Sequence, residues 1–150
     1  MVKIQIMPMT LEDVESVVEI EERSFPIPWS RNSFLYELLE NERAVYLVAK
    51  DGYERVIGYV GLWIVFDEGH ITNLAVHPLY RRQGVAQALL QGLIETVRPM
   101  GVQHLTLEVR VSNRPAQQLY EKMGFVQVGI RRKYYLDNNE DAFIMWKGPL

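Results

Sequence analysis

Ile71-Thr72-Asn73-Leu74-Ala75-Val76-His77-Pro78-Leu79-Tyr80-Arg81-Arg82-Gln83-Gly84-Val85-Ala86 decides the fold of this chain. Residues 69 to 76 read as a strand, and Pro78 introduces a basic, glycine-containing turn. From Val85 to about Arg98 the apolar residues recur at helical spacing, with Leu89, Leu90, Leu93, Ile94 and Val97 on one broad side. The turn itself, Arg81 to Ala86, has the chemistry of an anion site. Gly84 lets the backbone approach a ligand, Ala86 is small, and the first amides of the helix add partial positive charge beside two arginines. An ordinary strand-to-helix turn with solvated arginines would use the same six residues, and by itself the hexapeptide leaves both readings open. It lacks the Lys-Ser/Thr pair of a nucleotide P-loop and the three-glycine spacing of a dinucleotide site.

Upstream, residues 3 to 8 form a short strand, and Thr10 with Asp13 resembles a capping box opening a helix through about Arg23. Phe25-Pro26-Ile27-Pro28-Trp29 cannot continue that helix, because each proline lacks an amide donor, and it reads as an apolar loop. Ser30 caps a second helix to about Glu42, with Phe34, Leu35, Leu38 and Leu39 inward. Runs 44 to 50, 55 to 66 and 69 to 76 suit an antiparallel meander, with Asp51-Gly52 turning between the first two.

Downstream, strand 103 to 111 separates Leu105, Leu107, Val109 and Val111 from His104, Thr106, Glu108 and Arg110. Glu108 therefore points away from the aliphatic side. Asn113 caps a short helix with Pro115 in its first turn, the stripe Ala116, Leu119, Tyr120 and Met123, and Gly124 just past its end. Strands 125 to 132 and 142 to 147 follow. The order β-α-α-β-β-β-α-β-α-β-β is expected to make one α/β domain over residues 1–150.

Composition narrows the functional classes. The 150 residues are 48% hydrophobic, enough for one continuous core, and 16 basic against 19 acidic residues leave a net charge of −3. No global field draws this chain to nucleic acid or to an anionic membrane. With no cysteine, disulfides, thiolate metal sites and a cysteinyl acyl-enzyme are excluded. Met1 to Met9 has no unbroken apolar stretch, and no window approaches the roughly 18 apolar residues of a membrane helix, so a cytoplasmic protein is expected. His70, His77 and His104 lack a metal-ligand spacing, and no metal is assigned.

The strand from Ile71, the turn, Asn113 and Leu119-Tyr120-Glu121-Lys122-Met123-Gly124-Phe125 together resemble the GNAT superfamily of N-acetyltransferases over nearly the full length. The turn matches that family's Arg/Gln-x-x-Gly-x-Gly/Ala pattern, with Ala86 in the last place. The resemblance implies a mixed, mostly antiparallel sheet of about seven strands flanked by about four helices, and acetyl-CoA as acetyl donor. It also implies cofactor contacts along the backbone of Leu74, Ala75 and Val76, at Arg81, Arg82, Gln83, Gly84, Val85, Ala86 and Gln87, and at Asn113. Leu107-Glu108-Val109-Arg110-Val111-Ser112-Asn113, Tyr134-Tyr135 and Glu140-Asp141-Ala142 are similar to the RimI-type branch, which modifies the N-terminal alanine of a ribosomal protein. Phe25-Pro26-Ile27-Pro28-Trp29-Ser30 resembles the Phe-Pro-Trp-Ser loop of that branch but carries an Ile-Pro insertion. Gly69-His70-Ile71-Thr72 is similar to eukaryotic and archaeal N-terminal acetyltransferases, which leaves the acceptor open beyond alanine.

An amine attacks a thioester only with its lone pair free, so such a site must take a proton and stabilise the departing thiolate. The resemblance makes Glu108 the general base, directly or through a water, and Tyr120 the general acid. A salt-bridged strand carboxylate and a core tyrosine are the alternatives. A protein α-amine, with pKa about 8, is roughly one-tenth neutral at pH 7, whereas a lysine near about 10.4 is far less so; a modest carboxylate base suits the former. Tyr134 and Tyr135 wall the acceptor slot or pack across strands, and Phe25 and Trp29 line that slot or cap the core. Arg131-Arg132-Lys133 meets an acidic or ribosomal partner or ends a strand in solvent. The expectation is direct transfer in a ternary complex to a protein N-terminus, by a monomer or weak homodimer. A small-molecule amine acetyltransferase and a non-catalytic acyl-CoA-binding module are the competing readings.

Overall fold

The computed structural model describes residues 3–150. Its strands are β1 (Gln5–Pro8), β2 (Ala44–Lys50), β3 (Val56–Val65), β4 (Glu68–Val76), β5 (His104–Arg110), β6 (Val126–Tyr135) and β7 (Glu140–Lys147). The helices are α1 (Val14–Ser24), α2 (Arg31–Leu39), α3 (Val85–Val97) and α4 (Arg114–Lys122), with short 3-10 turns before α1, before α3 and after α3. One seven-stranded sheet runs in the order β1-β2-β3-β4-β5-β7-β6. Every pairing is antiparallel except β4 with β5, which α3 connects as a crossover.

The helices cover opposite faces because the strands present alternating side chains. On one face, Leu89, Leu90, Leu93, Ile94 and Val97 of α3 pack with Leu47, Ile57, Leu62, Leu105 and Leu107. On the other, Val14, Val17 and Ile20 of α1 and Phe34 of α2 pack with Tyr46, Val48 and Tyr59. Phe34 is fully buried, its ring 5.7 Å from that of Tyr59 and 5.4 Å from that of Trp29.

The caps follow the sequence. The Asp13 carboxylate accepts from the Thr10 amide at 2.9 Å, the Ser30 hydroxyl accepts from Ser33 N at 3.1 Å, and Asn113 Oδ1 accepts from Ala116 N at 3.2 Å. Gly124 has φ 94°, the left-handed turn expected past the end of α4.

Two expectations need correction. The second helix ends at Leu39 rather than near Glu42, and Leu39 is 62% exposed while Glu37 is buried. The inward face is thus set by Phe34 and Glu37, because Glu37 receives hydrogen bonds from the sheet that a leucine could not take up. The turn between β2 and β3 is wider than Asp51-Gly52 alone: Asp51 Oδ1 accepts from Tyr53 N at 2.9 Å and Arg55 N at 3.0 Å. Phe34→Ala should lower the unfolding free energy by about 3–5 kcal/mol, measured by urea titration, since it empties the centre of the α1–α2 cluster.

Candidate functional site

The parallel ladder between β4 and β5 spans only Glu68↔His104, Gly69↔Leu105 and His70↔Thr106. Beyond it both strands continue, β4 to Val76 and β5 to Arg110, but no longer to each other. A bulge accompanies the separation: Gly61 pairs Asn73 and Leu62 pairs Ile71, leaving Thr72 as an extra residue that bends β4. The facing backbone edges of 71–76 and 107–110 are not paired to each other, and at their ends Val76 O accepts from Arg81 Nε at 3.1 Å and Arg110 O from Gln117 Nε2 at 2.9 Å. Amide and carbonyl groups in such a cleft call for a partner carrying its own amides.

At the far end of the cleft stands the N-terminus of α3. Gly84 has φ 81°, a left-handed conformation in which a side chain is strained, and nothing lies within 4 Å of where its Cβ would be. The first intrahelical bond runs from Ala88 N to Gly84 O at 3.0 Å, so the amides of Val85, Ala86 and Gln87 have no helical acceptor and face outward as an anion cradle. Arg82 is exposed beside it. Arg81 is committed elsewhere, its Nε on Val76 O at 3.1 Å and its Nη2 on Ser24 Oγ at 3.4 Å, and it ties the turn to β4 and α1.

Glu108 lies on the open edge, on the face of the sheet that α1 and α2 cover. Only 8% of its side chain is exposed. Oε2 meets His70 Nε2 at 2.8 Å, Oε1 lies 3.5 Å from Arg131 Nε, and the Tyr134 hydroxyl is close to the carboxylate. Burial pushes this carboxyl up, but the His70 hydrogen bond and charge, Arg131 and Tyr134 outweigh it and hold it below the ordinary carboxylate value. Glu108 is therefore ionised at neutral pH.

Tyr120 is buried on α4 with its ring 5.6 Å from Phe125. Its hydroxyl makes no side-chain hydrogen bond among the described residues. Desolvation and the nearby Tyr135 push its pKa well above the ordinary tyrosine value. Tyr135 is packed beneath the Arg110 guanidinium, 3.9 Å from the ring centre. Arg110 in turn bonds Asp137 Oδ1 at 3.0 Å and Glu140 Oε1 at 3.2 Å, and Glu140 accepts from Ser112 N at 2.8 Å. The β6–β7 hairpin is thus fastened to the end of β5.

Of the residues the sequence singled out, Glu108 and Tyr134 stand together beside the opening, Gly84 begins α3, Asn113 caps α4, and Tyr120 lies on α4 within the core. Phe25 and Trp29 are half-buried and pack on the α1–α2 cluster. Three participants were missed: His70, Arg131 and the buried Gln117, whose Nε2 donates to Arg110 O at 2.9 Å and Val111 O at 3.0 Å and fixes α4 against β5. The polar alternation of His70 in β4 and Glu108 in β5 is the signal that could have paired the first, once the two strands are taken as parallel neighbours.

The model of the Acetyltransferase (GNAT) family matches residues 14–125. The chain belongs to this family. Acetyl-CoA is accordingly its acetyl donor, and the open β4 edge, the left-handed Gly84 and the free α3 amides fit that molecule's amide-bearing arm and pyrophosphate. Among relatives of this GNAT chain, the [ribosomal protein bS18]-alanine N-acetyltransferase of Escherichia coli K12 is 39% identical, over 89% of this chain and 89% of its own length. A Bacillus subtilis protein assigned the same activity is 50% identical over 96% of this chain and 95% of its own. The crystal structure of the E. coli ribosomal-protein-S18-alanine N-acetyltransferase superposes with a TM-score of 0.88 at 36% identity, covering 98% of this chain and 94% of that one. Ard1 from Thermoplasma volcanium also gives a TM-score of 0.88, at 28% identity, with 98% of both chains covered.

Gly84→Ala should weaken acetyl-CoA binding. A left-handed alanine costs about 1–2 kcal/mol, so the free turn relaxes and binding must restore it. Calorimetric titration is expected to give a Kd raised roughly 5–30-fold with little loss of thermal stability.

Proposed function

We propose that this enzyme transfers the acetyl group of acetyl-CoA to the α-amino group of a protein N-terminus by direct attack in a ternary complex. The observation that carries the reading is the ionised Glu108 at the mouth of the β4–β5 cleft, with the unpaired, protonated Tyr120 hydroxyl on the neighbouring helix. Bound acetyl-CoA supplies the thioester. The backbone of Leu74, Ala75 and Val76, the turn residues Arg82, Gln83, Gly84, Val85, Ala86 and Gln87, and Asn113 hold it. Arg81 shapes that turn from behind.

Glu108 accepts the proton of the incoming ammonium or amine, directly or through a water. His70, Arg131 and Tyr134 keep its carboxylate ionised and aimed. Tyr120 donates its hydroxyl proton to the departing sulfur, and its raised pKa keeps that proton in place through alkaline conditions. Phe25, Trp29, Tyr134 and Tyr135 bound the acceptor slot. Identity of 39% with an enzyme named for acetylating the alanine of ribosomal protein bS18 makes that N-terminus the first acceptor to try. The protein partner would be met in the cytoplasm by one domain over residues 1–150, acting as a monomer or weak homodimer without nucleic acid or membrane. No helix of the described residues is long and apolar enough to cross a membrane.

Acetyl-CoA and a panel of N-terminal hexapeptides, with the acetyl group located by mass spectrometry, should yield α-amino modification, greatest on an alanine start. Acetylation confined to lysine side chains or soluble polyamines would refute the proposal. Glu108→Gln and Tyr120→Phe should each lower kcat about 10²–10⁴-fold while leaving acetyl-CoA binding intact. If neither alters transfer, the assignment of base and acid fails. In the wild type, kcat/KM should climb with pH to a plateau above about pH 8, where the α-amine is neutral, with no fall through the ordinary tyrosine range. A decline beginning near neutrality would contradict the elevated Tyr120.

A further inference from the structure

Glu37 belongs to α2, outside the cleft, and is 4% exposed, yet the proposed chemistry gives it no task. Its carboxylate accepts from the Tyr46 hydroxyl at 3.0 Å, from Asn41 Nδ2 at 2.7 Å and from the indole N–H of Trp63. A carboxylate so enclosed is tolerated only because donors surround it. Two of those donors lead to the cleft.

Trp63 on β3 is the cross-strand partner of His70 on β4, with ring centroids 6.4 Å apart and planes at 75°. The indole is 37% exposed, so without a tether it is free to change rotamer. His70 makes one side-chain hydrogen bond among the described residues, to Glu108, which fixes a single ring atom. The Trp63 ring supplies the second restraint. By the other route the Tyr46 hydroxyl lies 3.2 Å from Oγ1 of Thr72, the bulge residue that bends β4.

We propose that Glu37 is a positioning residue that, by anchoring the Trp63 indole, fixes the His70 imidazole and hence the direction in which Glu108 faces the acceptor amine. The inference rests on the reading of Glu108 as the base. The groups facing Glu108 are His70 from β4 and Arg131 and Tyr134 from β6, so loosening His70 leaves the other two in place. Because His70 helps to hold Glu108 low, a displaced imidazole raises the pH at which the Glu108 carboxyl itself titrates, an ionisation well below that of the α-amine and read directly from the carboxyl carbon NMR resonance.

Trp63→Phe removes the tethered N–H at a partly exposed position, where folding is not at issue. It should lower kcat about tenfold, leave the acetyl-CoA KM within about twofold and shift the Glu108 carboxyl titration, followed by carbon NMR, upward. Glu37→Gln keeps the Oε1 acceptor that serves both Trp63 and Tyr46, and should hold kcat within about twofold of wild type. Glu37→Leu should behave like Trp63→Phe and move the NMR resonances of the His70 ring, which Glu37 does not touch. Wild-type kcat and an unmoved Glu108 carboxyl titration in Trp63→Phe would overturn the proposal, as would a Glu37→Gln enzyme no better than Glu37→Leu. Should Glu108→Gln retain turnover while Glu37→Leu still shifts the His70 resonances, the base assignment falls and the positioning of His70 stands.

Discussion

The three-residue parallel pairing between β4 and β5 is the constraint on which the rest depends. Strands that stayed paired would satisfy their own backbone and leave no cleft; strands that never paired would not bring His70 to Glu108. Pairing that starts at Glu68 and stops at His70 does both. The bulge at Thr72 makes the stop, and the covering helices hold the separated strands apart, α3 on one face and α1 and α2 on the other. The cofactor cleft is thus an interrupted sheet, stabilised by the same aliphatic packing that stabilises the intact part.

Electrostatics then divide the labour. Desolvation works to raise the pKa of both Glu108 and Tyr120, but Glu108 has His70, Arg131 and Tyr134 against its carboxylate and ends low, while the Tyr120 hydroxyl has no side-chain hydrogen-bond partner among the described residues. One group is driven to lose its proton and the other to keep it. That divergence is what a base and an acid sharing one reaction require.

Much of this was legible in the sequence because it is local. The periodicity of Leu89 to Val97 fixes α3, the strict alternation from His104 to Val111 turns Glu108 out of the aliphatic face, and Ser30 and Asn113 are caps by residue type and position. Gly84 before Val85 marks the turn. What escaped is non-local. His70 and Glu108 are 38 positions apart, and their meeting follows from a parallel register that no local pattern encodes. Leu39 looked buried on helical spacing alone; Tyr46 and Trp63, which arrive from β2 and β3, draw Glu37 inward instead. Arg131 read as part of a solvated basic run until β6 folded beside β7 and brought it to Glu108.

The most direct test of the account is a crystal structure with a bisubstrate compound in which coenzyme A is joined through an acetyl bridge to the α-nitrogen of an alanine-initiated peptide. The account predicts the pantetheine arm along the backbone of Leu74 to Val76 and the pyrophosphate on the amides of Val85 to Gln87. It also predicts the α-nitrogen within a hydrogen bond or one water of Glu108, and the sulfur beside the Tyr120 hydroxyl. A peptide nitrogen lodged away from Glu108, or a coenzyme arm outside the β4–β5 opening, would contradict it.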